Sequence, residues 1–148
     1  MLGRLRRAEI TTVLREGTIG RIGTSAAGRT YVVPVTYVYD GDSVYGHSTV
    51  GQKIAMMRKN PSVCFQVDEI DDMANWRCVI AQGTYEELHG DMAAAAAKLI
   101  RARIGALTKS ETAGPAGRGG RTHVSYRIRL REKSGRYEGK RARPRRRT

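Results

Sequence analysis

The 148-residue sequence predicts a mainly β domain with flanking helices, built as a six-stranded antiparallel barrel. Three observations predict it. Six stretches are rich in β-branched and aromatic residues, and short turns join several of them. Only two or three segments read as helix, too few for alternating β-α units. No Gly-x-Gly-x-x-Gly turn links a strand to a helix, as a parallel nucleotide-binding sheet would require.

An opening helix is expected over residues 4–16, with Leu5, Ile10, Val13 and Leu14 as a ragged apolar face and Gly17 as its stop. Residues 18–24 and 31–39 form the first two strands, around the connection Ala26-Ala27-Gly28-Arg29. Gly20 and Gly23 lie inside the first of them, which predicts a bulge or a close backbone approach. Pro34 cannot donate to a ladder, so it belongs at an edge or where pairing is interrupted. Asp40-Gly41-Asp42 turns the chain into a third strand, residues 43–47. A short helix over 52–59 must stop before Asn60-Pro61, because the residue preceding proline is pushed out of the α region. Residues 62–68, 76–88 and 122–131 supply the remaining strands. The alanine-rich run 92–104 is the clearest helix, with Asp91 as N-cap or first-turn acid. Residues 108–120 are glycine-rich and read as a mobile loop.

Composition narrows the class. One domain of this length buries a core without staples. The two cysteines, Cys64 and Cys78, sit inside strands and form no Cys-x-x-Cys pair, so zinc and a disulfide framework are not expected. Two buried thiols suit a reducing compartment. The first seven residues lack the apolar stretch of a signal peptide, and no run approaches the roughly 20 apolar residues of a membrane span. A cytoplasmic protein with no membrane partner is expected. The net charge of +13 is unevenly spread, for residues 118–148 hold 13 of the 27 basic and 2 of the 14 acidic residues. The body, 1–135, is the folded domain, and 136–148 is expected to be a basic disordered tail. Such a tail attracts nucleic acid by charge alone, without sequence preference. No aromatic interleaves it, so base stacking is not expected.

The segment that carries chemistry is Gly46-His47-Ser48-Thr49-Val50-Gly51-Gln52-Lys53, between a strand and a helix. It offers hydroxyls, fresh helix N–H groups and an ammonium, which is what a phosphate requires. The same residues also fit a capping box, with Thr49 as cap and Gln52 reaching back to it.

The order of this segment, then Asn60-Pro61-Ser62-Val63-Cys64-Phe65-Gln66-Val67-Asp68, then Asn75-Trp76-Arg77-Cys78-Val79, resembles the pyridoxamine 5′-phosphate oxidase-like flavoproteins. The branch it is most similar to is that of the 5-nitroimidazole reductases. The resemblance resumes at Val124-Ser125-Tyr126-Arg127-Ile128-Arg129-Leu130. It implies a split β-barrel homodimer of the FMN-binding type, with a flavin in each of two clefts between subunits. It implies that Val33, Pro34, Val35 and Thr36 line the isoalloxazine, and that Ser48, Gln52 and Lys53 lie at the phosphate. His47 falls beside the ring, where it can hold or move a proton or orient the cofactor. Trp76 falls where the other subunit's flavin would be flanked, or packs at the interface; Cys78 replaces a small polar residue near the ring.

Two departures matter. Gln52 and Thr36 stand where oxidases of this family carry arginine and lysine, which leaves fewer positive charges, with Arg21 as a possible substitute. They count against oxidation of pyridoxamine phosphate, and they make a deazaflavin a credible alternative to FMN. The resulting expectation is an FMN-dependent oxidoreductase passing electrons from a reduced nicotinamide or deazaflavin to a small-molecule substrate, such as a nitro compound or a quinone. The alternative from another class is a non-catalytic flavin- or heme-binding carrier or sensor.

Overall fold

The computed structural model describes residues 2–105 and 122–139. Its elements run β1 (Gly3–Arg4), α1 (Arg7–Glu16), β2 (Ile19–Ala26), β3 (Arg29–Thr36), β4 (Val38–Tyr39), β5 (Ser43–Thr49), α2 (Gln52–Lys59), β6 (Ser62–Asp72), β7 (Asn75–Leu88), α3 (Gly90–Ile104) and β8 (His123–Glu138). Neighbouring strands follow the order β3-β2-β6-β7-β8-β5-β4, with β1 on β8, all antiparallel. β3 and β4 end the series without pairing, so the barrel is split rather than closed.

All six expected strands are present, and two more make eight. The stretch 31–39 is divided at Tyr37, whose side chain turns inward and donates from its hydroxyl to the Leu14 carbonyl at 2.8 Å. Gly3 and Arg4 pair with Tyr137 and Arg136 instead of starting the helix, which begins only at Arg7. β8 is correspondingly longer than expected and bends at Glu132, which adopts a positive φ of 49° where the register against β7 shifts. Arg136, Tyr137 and Glu138 therefore belong to the sheet, three residues beyond the domain boundary read at 135. The rest of the basic tail, and the loop expected over 108–120, lie outside the described residues.

Turn chemistry accounts for the two tight hairpins. Ala27 and Gly28 both take positive φ between β2 and β3. Between β4 and β5, Gly41 takes φ 107°, and one Asp40 carboxylate oxygen accepts from the N–H groups of Asp42 and Ser43, each at 2.8 Å. The helix ends behave less simply. Gly17 stops α1 with its N–H on the Val13 carbonyl, and a side chain there would run into the Tyr37 hydroxyl and Val67. α3 begins one turn earlier than its alanine run, with His89 rather than Asp91 at the cap position and Asp91 in the first turn.

The core is the barrel interior. Ile22, Phe65, Val67, Val79, Ala81 and Ile128 are fully buried there, closed by Leu14 of α1 and by Ile54 and Met57 of α2. α3 instead lies against β4, β5 and β8, burying only Ala96. Its Arg103 donates to the last carbonyls of α1, at 3.1 Å to Glu16. Alternation then sorts each strand into two faces. On the outer face, Pro34 is level with Arg21, Gln66 and Ile80 across β3, β2, β6 and β7. That face is left open, with Ile19, Val32, Ile70 and Ile80 exposed by 59, 62, 68 and 44%.

Candidate functional site

α2 starts without a side-chain cap. Its N-cap is Gly51, and Thr49 remains in β5, so the capping box expected from Thr49 and Gln52 does not form. The reason is reach: β5 holds its ladder to Thr49↔His123, and Val50 N–H then bonds the Thr122 carbonyl, which keeps Thr49 a full two residues away from the cap. Ala55 is the first residue whose N–H is taken up, by the Gly51 carbonyl, so the N–H groups of Gln52, Lys53 and Ile54 precede the helical ladder. The first turn carries no acid.

Lys53 stands in that turn, half-buried, and burial holds its ammonium below the usual lysine range. Among the described residues no carboxylate pairs with it. A partly desolvated cation beside free N–H groups and the positive end of a helix is an arrangement an anion completes. Ser48 contributes less than its position promised. It is buried, and its hydroxyl donates to the Thr49 carbonyl at 2.8 Å. Arg21 is no substitute for the missing charges, because its guanidinium is engaged by Asp68 and Gln66, at 3.3 and 3.2 Å.

His47 lies on the outer side of β5 and is exposed. It is not alone: the His123 ring stacks on it, centroids 5.1 Å apart and planes within 5°. Sequence reasoning left His123 outside the site and facing solvent. It is exposed, but the β5–β8 register, Thr49↔His123 and His47↔Ser125, sets the two rings diagonally on one face. Only strand pairing between segments some 75 residues apart reveals this. Burial first, and the neighbouring His123 second, push the His47 imidazole below its ordinary pKa. The folded chain thus binds fewer protons there than the unfolded one. This contribution to stability is present above the ordinary imidazole range and is lost as pH falls through it. His123→Ala should move the His47 pKa up toward its ordinary value, read by an NMR titration of the ring; an unmoved pKa would show that the two rings do not communicate.

The remaining residues divide by face. Val33 and Val35 point into the barrel, so only their main chain is available at the edge; Pro34 and Thr36 point outward. β3 pairs with β2 alone, which leaves one side of its main chain outside the ladder, as the proline at this edge suggests. Trp76 and Cys78, both half-buried, lie on the same outer face at the start of β7. Cys78 Sγ is 3.3 Å from Gln66 Nε2, and both cysteines are free thiols, less buried than expected. Twelve residues of β7 separate Trp76 from Leu88, the residue level with His47, or about 40 Å of strand at roughly 3.3 Å per residue. One protomer therefore brings together His47, His123, Gln52 and Lys53, and it keeps Trp76 and Cys78 at the other end of the sheet.

A cavity of about 320 Å³ adjoins this site, between α2 and the β2–β3 turn. Its walls are Ala26, Ala27, Arg29, Gln52, Ala55, Met56 and Lys59. Among the described residues there is no group of three or more metal-binding side chains, and no helix long and apolar enough to cross a membrane.

An uncapped, acid-free helix start beside the split edge of an antiparallel barrel defines a class of proteins built to receive a phosphorylated ligand at the barrel margin. Comparison with known proteins agrees: the profile described as pyridoxamine 5′-phosphate oxidase matches residues 6–137, and the chain belongs to that family. A crystal structure of an FAD-binding protein from Mesorhizobium loti superposes with a TM-score of 0.75 at 35% identity, covering 95% of this chain and 98% of that one. An FAD-binding protein from Mycobacterium smegmatis (TM-score 0.63, 17% identity, 92% and 98% covered) shares the fold. So does a candidate 5-nitroimidazole antibiotic resistance protein from Bacteroides thetaiotaomicron (TM-score 0.68, 15% identity, 93% and 87% covered). At these identities the last two speak for the fold alone. An uncharacterized protein of Rhizobium meliloti is 37% identical over 82 residues, 55% of this chain; the match spans about half the length of that curated relative.

Proposed function

We propose that this protein is a flavin-dependent oxidoreductase that works as a homodimer and binds the FMN unit of its cofactor at the start of α2. The observation that carries the reading is Lys53, half-buried, without a carboxylate partner among the described residues, beside N–H groups that no side chain caps. The FAD-binding protein of Mesorhizobium loti, similar over nearly its whole length, supports a flavin rather than another phosphate ester. The residues present fit the group: Lys53 and the first-turn N–H groups hold the phosphate, and the free main chain of Val33 to Thr36 meets the polar edge of the ring.

Bound flavin supplies the hydride and electron chemistry; the chain binds, orients and tunes it. Electrons come from a reduced nicotinamide or deazaflavin and leave to a small acceptor such as a nitro compound or a quinone. His47, held neutral near pH 7 by its depressed pKa, can accept a proton on a ring nitrogen at the outer face of β5. The dimer follows from two features. The outer sheet face exposes Ile19, Val32, Ile70 and Ile80 as a patch that a second copy would cover. A second copy would also bring Trp76 and Cys78, which one protomer keeps far along the sheet, toward the partner's ring. Its two free thiols suit the cytoplasm.

The test is the purified protein's visible spectrum with NADH or NADPH and an acceptor, alongside its sedimentation mass. A flavin absorbance that bleaches with the donor and returns with the acceptor, in a two-chain particle, is expected. A flavin that binds and is never reduced would favour the carrier or sensor role.

A further inference from the structure

We infer that the cofactor is FAD, with its adenosine phosphate half seated in the cavity between α2 and the β2–β3 turn. The inference rests on the flavin reading above and specifies it further. Gln52, Ala55, Met56 and Lys59 form one stripe of α2 at the spacing of successive turns, and the cavity runs along it from the first turn to the last. That run is about 10 Å at 1.5 Å per residue, and it begins one residue from Lys53. A chain of phosphates that starts at Lys53 therefore continues past Gln52 directly into the cavity.

The walls suit such a group. Arg29 and Lys59 are the charged residues among them, both basic, and neither has an acidic partner among the described residues. Three alanines keep the space open, and buried Met56 offers a polarizable apolar surface to a heteroaromatic ring. A volume of about 320 Å³ is at the small end of ligand pockets, room for one nucleotide half and not for a whole dinucleotide. These two cations also restore, at the second phosphate, charge that Gln52 and Thr36 do not supply at the first.

The test compares FAD, FMN and riboflavin binding to flavin-stripped full-length protein by fluorescence quenching, with circular dichroism as a check that each variant is folded. The parent should bind FAD at least tenfold more tightly than FMN. The double variant Arg29→Ala/Lys59→Ala should lose that preference while its FMN affinity stays within about twofold. Ala55→Leu, which keeps a good helix former at an exposed position and fills the cavity, should do the same. Lys53→Ala should weaken both dinucleotide and mononucleotide. Equal affinity of the parent for FAD and FMN, or variants that weaken both alike, would overturn the assignment of the cavity and leave the flavin reading standing. Failure of the parent to bind any of the three flavins would remove the flavin reading itself.

Discussion

Lys53→Ala is expected to weaken FMN binding about tenfold to hundredfold, with the fold unchanged. A charge-assisted hydrogen bond to a phosphate contributes roughly 1.5–3 kcal/mol, and each 1.4 kcal/mol is about a factor of ten. Lys53 is a clean place to measure it. No carboxylate among the described residues is left unpaired by its removal, and its partly desolvated ammonium has no other visible compensation. Surface changes of this kind stay within about 0.5 kcal/mol of the parent's stability. Riboflavin, which lacks the phosphate, should bind parent and variant equally. Fluorescence titration of stripped protein with both ligands reads the difference. Equal FMN affinities would mean that α2 does not hold the phosphate.

The largest expected loss of stability belongs to Phe65→Ala, about 3–5 kcal/mol, the usual cost of emptying a buried aromatic site. Phe65 is fully buried and meets Tyr37 edge-to-face, ring centroids 4.9 Å apart. Gly20 packs so closely on the ring that a side chain there would collide with it, and Tyr37 in turn holds the last turn of α1 through the Leu14 carbonyl. Removing the ring thus loosens β2, β6 and α1 together, and little nearby can collapse into the space. Against a total of about 5–15 kcal/mol, that is a large fraction. Urea unfolding should show a much lower midpoint at unchanged slope. A loss below about 1 kcal/mol would show that the ring is not the centre of the core.

Some of this was legible in the chain and some was not. Gly20 and Gly23 look alike in sequence, yet only Gly20 is held by a close approach; the nearest atom to a side chain at Gly23 would be Cys64 Cβ at 3.7 Å. Arg21 read as a spare cation until the pairing Arg21↔Gln66 set it beside Asp68. Thr49 had the spacing of a cap and lacked the geometry, because strand pairing with His123 took it first. Arg29 and Lys59 carried no signal at all, being 30 residues apart on elements that meet only in the fold.

The sequence by itself determined the element types, the antiparallel barrel class, the hairpin at Asp40-Gly41-Asp42, the edge position of Pro34 and the importance of the segment ending in Lys53. Each follows from local chemistry: side-chain period, turn conformations, a missing proline N–H, the orphan groups at a helix start. Tertiary structure alone decided the stacked pair His47 and His123, the open cap of α2, the engagement of Arg21, the reach of β8 to Glu138, and the basic cavity beside Gln52. These depend on register between distant strands and on which faces meet, and a shift of one residue in register would put each side chain on the other side of the sheet.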